Sequence, residues 1–377
     1  MKVKEICDLQ NGRAFKPTDW ATEGIPIVRI QNLNDERAPF NYYLGEYSVI
    51  HEINNGELLF SWSGTPGTSF GAFRWFRGKG VLNQHIFRVL PKIDVDKEYL
   101  KYALNGNINL IIEKAHGGVG LQHITKKELD EIDIPIVSKE KQLEIVECLL
   151  RVENVISLRK KEMEELDDLI KSRFVELFGD PIRNPKGWKV ATIGDIVTDV
   201  RYGTSKPAVE GGKYPYLRMN NLTVDGHLDL NDLKYIDIPD DEIEKCVVRK
   251  GDVLFNRTNS IELVGKTAVF DLLDDMVIAG YIIRVRLTQK MLPEVLAQYM
   301  NLEALKDILR GMAKGAVNQA NINAQELQSI KIYIPEMELQ KQFVEMKEQI
   351  DKLKSEVQKS LDETQLLMDS LMQKYFG

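Results

Sequence analysis

This amino-acid sequence is written twice, so the chain must fold into two versions of one unit. A shift of 198 residues lays Val119 on Val317, Ile124 on Ile322, Leu129 on Leu327, Ile132 on Ile330 and Ile134 on Ile332. Two extra residues in the second copy then move the match to a shift of 200, with Pro135 on Pro335 and Lys141-Gln142-Leu143 on Lys341-Gln342-Phe343. The shift is 198 again where Phe178-Gly179 meets Phe376-Gly377. Further upstream the offsets drift. Ile6-Cys7-Asp8-Leu9 answers Ile193-Gly194-Asp195-Ile196, Arg29 answers Arg218, and Asn55-Gly56-Glu57-Leu58-Leu59-Phe60 answers Lys250-Gly251-Asp252-Val253-Leu254-Phe255. The framework recurs while loop lengths and loop residues change. A period this long means two duplicated domains rather than a solenoid.

The first two-thirds of each repeat reads as strands with a helical insert. Ile25 to Ile30, Glu57 to Phe60, Gln84 to Val89 and Asp133 to Val137 are short β-branched or aromatic runs bounded by Gly, Pro and Asn. Tyr214 to Met219, Asp252 to Phe255, Tyr281 to Leu287 and Ser329 to Ile334 repeat them. A helix is expected over Lys97 to Lys114, and again over Pro293 to Met312. The last third differs. Lys139 to Phe178 has neither Pro nor Gly, and Ile145, Leu149, Val152, Ile156, Met163, Leu166, Ile170 and Leu177 fall at three-and-four spacings. Phe343, Met346, Ile350, Leu353, Val357, Leu361, Met368, Leu371 and Tyr375 do the same in the second copy. A lone helix cannot bury such a stripe. The nearest partner is its own copy, which makes the pair antiparallel if the repeats are related by a pseudo-twofold axis. The fold class is therefore α+β, with two similar globular domains separated by an antiparallel coiled-coil pair of long helices. The boundaries are 1–138, 139–179, 180–336 and 337–377, and the Pro- and Gly-rich run Gly179 to Trp188 joins the copies.

Several classes are excluded. No run of eighteen apolar residues exists to span a membrane, and the start Met1-Lys2-Val3-Lys4 lacks an apolar export core. Cys7, Cys148 and Cys246 stand far apart, which suits a reducing cytoplasm and gives no metal knuckle. The five histidines show no ligand spacing, so no metal is expected. There is no phosphate loop and no Asn-Pro-Pro-aromatic or Asp-Pro-Pro-aromatic run. Gly117-Gly118-Val119-Gly120 reads as a loop, and Glu345-Met346-Lys347 as surface charge on a helix. The net charge of −7 argues against a nucleic-acid binder at face value, but five of those seven charges lie in 138–178 and 336–377, leaving each globular segment at −1.

Two variable domains, each followed by a long helix, resemble the specificity subunit of type I restriction–modification enzymes. Phe178-Gly179-Asp180-Pro181 leading to Asn184-Pro185-Lys186-Gly187-Trp188 supports the likeness. So do the joints at Ile134-Pro135 and Ile334-Pro335, with Gln142 and Gln342 beyond. The likeness covers the whole chain. It implies two target-recognition domains, each reading one half of a split double-stranded DNA site, and no catalytic residue. It further implies two modification (methyltransferase) subunits docked on the helices and restriction (translocase–nuclease) subunits joining them. No cofactor is expected on this chain, with S-adenosylmethionine, ATP and Mg on the partners. A second reading of the same residues is a non-DNA adaptor assembled through the helix pair.

The candidate DNA-contacting residues follow from charge and hydrogen-bonding type. Leu58 to Ile93 contains Arg74, Arg77, Lys79, Arg88 and Lys92 without a carboxylate, together with Ser61, Ser63, Asn83, Gln84 and His85. Trp62 and Trp75 belong to the same run; the alternative reading of it is a basic hairpin packed on its own sheet, with both tryptophans in the core. Asn256-Arg257-Thr258-Asn259-Ser260 occupies the matching place in copy two and offers the best single run for base readout. Lys16 and Lys206, like Arg29 and Arg218, recur in both copies and suit a shared task such as phosphate clamping or a structural ion pair. Lys314, Asn318 and Gln319 lie in a loop of the second tier, as do Lys114 and His116 in the first copy. Residues that differ between the copies are expected to read sequence.

Overall fold

The computed structural model describes residues 1–65, 69–118, 121–313 and 320–377. They divide into two compact units, one of Met1–Arg159 with Ser360–Gly377 and one of Lys160–Lys359.

Unit 1 is built on an antiparallel sheet in the order Cys7–Asn11, Ile86–Pro91, Glu57–Ser61, Gly71–Trp75. Successive side chains of a strand point to opposite faces, and here both faces are covered. Leu58, Phe60, Phe87 and Val89 pack with Tyr99, Leu100 and Ala103 of the helix Lys97–Gly106. Leu59, Trp75 and Ile86 pack instead with Val28, Ile53 and Leu82 of a second sheet. That sheet runs Asn41–Tyr43, Ile25–Val28, Gly80–Leu82, Glu52–Ile53, with its central pair parallel. The Asp96 carboxylate accepts from the Glu98 and Tyr99 amides and starts the helix. The helical stretch breaks at Gly106, which the Phe376 side chain approaches so closely that a Cβ there would lie 2.6 Å from it; Ile108–Glu113 then forms a separate turn.

Unit 2 repeats this topology. Its sheets run Val197–Tyr202, Ile282–Leu287, Val253–Asn256, Thr267–Val269, and Lys234–Ile236, Tyr214–Leu217, Met276–Ile278, Val247–Val248, again with a parallel central pair in the second. Amide side chains hold the same places in both, Asn32 and Asn221 buried, Asn105 and Asn301 half-buried. Asn32 accepts from the Arg29 amide (3.1 Å) and Asn221 from the Arg218 amide (2.8 Å). Asn105 bridges the Ala72 N–H and carbonyl, as Asn301 bridges those of Thr267. Each amide satisfies main-chain groups that burial would otherwise strand.

The joint between sheet domain and long helix is fixed the same way. Gln142 accepts from the Asp96 amide (2.8 Å) and donates to the Val137 carbonyl (2.9 Å). Its counterpart is Gln340, which accepts from the Leu292 amide and donates to the Pro335 carbonyl, both at 2.9 Å. This corrects the expected match of Gln142 to Gln342. The helices are Lys139–Phe178 and Met337–Phe376, 40 residues each, so the 198 shift holds throughout them. Asp133 to Val137 also departs from expectation. It forms no strand, because only Met1 to Val3 lie beside it, whereas Lys331–Ile334 pairs fully with Lys189–Thr192.

In unit 1 the early half of the first long helix (Ile145, Leu149, Ile156) shares a core with the late end of the second (Met368, Phe376). In unit 2 the late end of the first (Ile170, Phe174, Phe178) packs on the early half of the second (Phe343, Ile350). The pair is therefore antiparallel. Phe174, Phe178 and Phe343 meet edge to face, with centroids 4.8, 5.2 and 5.7 Å apart. Such contacts add about 0.5–1.5 kcal/mol each beyond the area they bury. One expected stripe position is wrong: Leu353 is exposed, and Lys354 takes the buried slot, its Nζ 2.5 Å from Asp167 of the first helix and 3.5 Å from Asp225.

Candidate nucleic-acid interface

Where the strand Glu57–Ser61 leaves its sheet, the chain turns outward at Trp62. The Trp62 amide donates to the His85 carbonyl (3.2 Å), and its carbonyl accepts from the Ile124 amide (3.0 Å). Ser63 and Gly64 then pair with His123 and Gln122. Main-chain bonds alone set this geometry, so the side chain at 62 is free of it. The half-buried indole lies 5.2 Å from the His85 ring and 5.7 Å from Phe87. Gln84 is exposed beside it, 3.1 Å from His85 Nε2. Burial pushes the His85 pKa down, favouring the neutral ring. Trp62 Nε1 and His85 Nδ1 are buried and have no hydrogen-bond partner among the described residues.

Unit 2 builds the same turn. The Arg257 amide donates to the Tyr281 carbonyl (2.9 Å), and the Arg257 carbonyl accepts from the Ile322 amide (2.9 Å). Arg257 therefore stands where Trp62 stands, and Tyr281 where His85 stands. The Arg257 guanidinium lies 4.9 Å over the Tyr202 ring, and its Nε is buried without a partner among the described residues. A cleft of about 480 Å³ opens beside it, lined by Lys206, Tyr216, Arg218, Asn220, Arg257 and Tyr281 among others. Tyr281 is 50% exposed. Two buried lysines line a separate cavity of unit 2. Lys266 Nζ donates to the Met219 and Leu222 carbonyls, and Lys306 Nζ to Gly265 O (2.5 Å) and Asn301 Oδ1 (2.9 Å). Burial pulls the Lys306 pKa down to about 8.

The remaining expected residues fall into three groups. Some stay at or near the surface. Lys16 and Gln84 are exposed, Lys206 pairs with Glu242 at 2.9 Å, and Arg218 pairs with Asp232 at 2.6 Å. Arg29 donates to Asn41 Oδ1 (2.9 Å) and lies over Trp20. Others are engaged inside the fold. Arg74 pairs with Glu98 and the Gly56 carbonyl. Arg77 donates to the carbonyls of Asn32, Asp35 and Ala38 and stacks on Phe40. Lys79 belongs with the surface residues: it is exposed and pairs with Glu52 at 2.9 Å. Ser61 is buried with its hydroxyl on the Ser63 carbonyl, and the Asn83 backbone crosses against Gly12. Asn256 is fully buried and donates to the Met219 carbonyl, so within the favoured run it is a framework residue. Thr258 is buried on Asn321, and Asn259 accepts from the Ser260 amide. Ser63 is half-buried in the hairpin pairing. Lys314, Asn318 and Gln319 lie outside the described residues. Trp75 is in the core, as the alternative reading of its run has it, and Trp62 of the same run joins the face; Tyr202 and Tyr281 join the faces without having been singled out.

Two segments, residues 1–168 and 185–364, match the sequence model of the type I restriction modification DNA specificity domain. The chain belongs to that family. Its two matched segments correspond to the two copies of the repeat. The type I restriction enzyme EcoKI specificity subunit of Escherichia coli (strain K12) is 25% identical over 354 residues, covering 89% of this chain and 72% of the relative. A putative type I restriction enzyme MjaX specificity subunit of Methanocaldococcus jannaschii is 32% identical over 166 residues, 43% of this chain and 39% of that one. The solved S subunit of the type I restriction-modification system from M. genitalium covers 100% of this chain and 95% of its own length, at a TM-score of 0.56 and 15% identity. A structure solved in a study of type I R-M complex assembly and conformational transition gives 0.57 at 18% identity, covering 100% and 96%. These two show that the family fold is shared. No helix among the described residues is long and apolar enough to cross a membrane.

Proposed function

We propose that this family member is the non-catalytic reader of a type I restriction–modification complex, and that each unit reads one half of a split, asymmetric DNA site. The observation that carries the reading is the pair of matched faces. One backbone construction presents Trp62, Gln84 and His85 in unit 1 and Arg257 and Tyr281 in unit 2. Identical scaffolds with unlike side chains suit two unlike half-sites. Lys16 with Lys206, and Arg29 with Arg218, recur in both copies and suit the phosphate backbone, which carries no sequence information. The long helices dock two methyltransferase subunits, and through them the translocase–nuclease subunits; S-adenosylmethionine, ATP and Mg act there. Since methylation uses a base turned out of the stack, each face has only to place its half-site, not to transfer a group.

At about 1.5 Å per residue the helices supply a spacer on the order of 60 Å, which sets the number of unread base pairs between half-sites. Methylome sequencing of cells with and without the gene tests the reading: a split methyladenine motif should vanish with the gene. Adding one heptad to each long helix should lengthen the tolerated spacer by about three base pairs, taking about 34 Å per ten pairs. An unchanged spacer would remove the ruler. Binding to duplex DNA that ignores salt would favour the adaptor reading instead.

A further inference from the structure

Between the strand Lys189–Thr192 and the end of the helix Glu303–Met312, unit 2 has seven arginines. Arg201, Arg218, Arg249, Arg284, Arg286 and Arg310 each pair with a carboxylate. Arg257 has no ion pair and no side-chain hydrogen bond among the described residues, and its Nε is sealed from water. Buried donors in native proteins nearly always have acceptors, so one that lacks them signals a missing partner. The guanidinium is planar, held 4.9 Å over Tyr202, and lines the 480 Å³ cleft beside the half-exposed Tyr281. A ligand that completes it must offer two acceptors in one plane.

Two parts of DNA do so, a phosphate and the O6/N7 edge of guanine. The repeat separates them. A phosphate clamp is needed wherever DNA lies, and both copies keep the lysine before a proline (Lys16, Lys206) and the arginine of the second sheet (Arg29, Arg218). Position 257 is not kept, because Trp62 stands there in unit 1 and cannot neutralise a phosphate. We infer that Arg257 reads a guanine in the half-site recognised by unit 2, with Tyr202 as the platform that presents its donors. The inference rests on the split-site reading above.

Methylome sequencing of cells carrying the whole system, with wild-type, Arg257→Ala or Arg257→Lys chains, tests it. One half of the split motif should contain a G·C pair that both variants cease to require. Methylation at sites substituted there should rise roughly ten- to a hundredfold relative to the original site. The other half should stay as it was, which also reports that the variants fold and assemble. Three results would overturn the inference: an unaltered motif, equal loss at all sites with the motif intact (the signature of a phosphate contact), or relaxation at a pair other than G·C. A wild-type motif that is not split would remove the parent reading as well; the unaltered motif removes this one alone.

Discussion

The two faces set side by side differ in chemistry and agree in construction. In unit 1 an indole rests on a neutral imidazole, with an amide beside it. In unit 2 a guanidinium lies on one phenol ring with another next to it. Underneath, the same two main-chain bonds carry residue 62 and residue 257. Amide side chains fix the framework, through Asn32 and Asn221, Asn105 and Asn301, Gln142 and Gln340. The lesson is a division of labour. These three pairs of amides are the same in both copies, while residues 62 and 257, which the turn holds by their main-chain groups, differ.

The largest effect that could break this comparison is loss of independence between the faces. Trp62→Ala should relax one half of the methylation motif about ten- to a hundredfold and leave the half that depends on Arg257 untouched. Methylome sequencing reads both halves at once, and any change in the second half counts against two separate readers. Next in size is a test of where the units differ inside. Arg284 is almost fully buried against Asp199 at 2.6 Å, whereas the corresponding Arg88 and its partner Glu57 keep some exposure. Asp199→Asn should cost about 3 kcal/mol by stranding a buried charge, and Glu57→Gln about 1–2 kcal/mol, measured by urea unfolding. Gln142→Ala and Gln340→Ala sharpen the likeness instead. Each leaves the same buried N–H and C=O, so each should cost about 1–3 kcal/mol, and equally. A further effect concerns pH. Buried lysines among the described residues occur in unit 2 only. Burial lowers Lys306 from its ordinary 10.5 to about 8. Below about pH 8 both folded and unfolded chains hold that proton, and the full penalty of the buried charge stands. Between about 8 and 10.5 the unfolded chain holds a proton the folded one has released, so stability rises with pH. Lys306→Met should flatten that rise in thermal melts.

Much of this was legible in the sequence. The repeat, the α+β domains and both 40-residue helices follow from spacing and from the absence of Pro and Gly. What failed was local lettering overruled by distant partners. Lys341-Gln342 spells Lys141-Gln142, yet Gln340 is the residue that reaches the Leu292 amide. Leu353 is the apolar choice for the stripe, but carboxylates at Asp167 and Asp225 draw Lys354 into it. Arg74 and Arg77 stood in a run free of acids, while their acceptors sit on Glu98 and on carbonyls some forty residues upstream. Tyr281 carried one usable signal, that it differs from His85 at a matched position. Finding it required the exact register, which drifting loops hide.

Lys354 deserves a last consequence. A seam of leucines is nearly indifferent to slipping by one turn, since every slot accepts the next residue. An ammonium group that burial disfavours, and that Asp167, Asp225 and Asp351 hold above its usual pKa, is not indifferent. Any slip would leave it in hydrocarbon, far from those carboxylates. The phase of the helices in unit 2 is thus set by side chains of this chain alone.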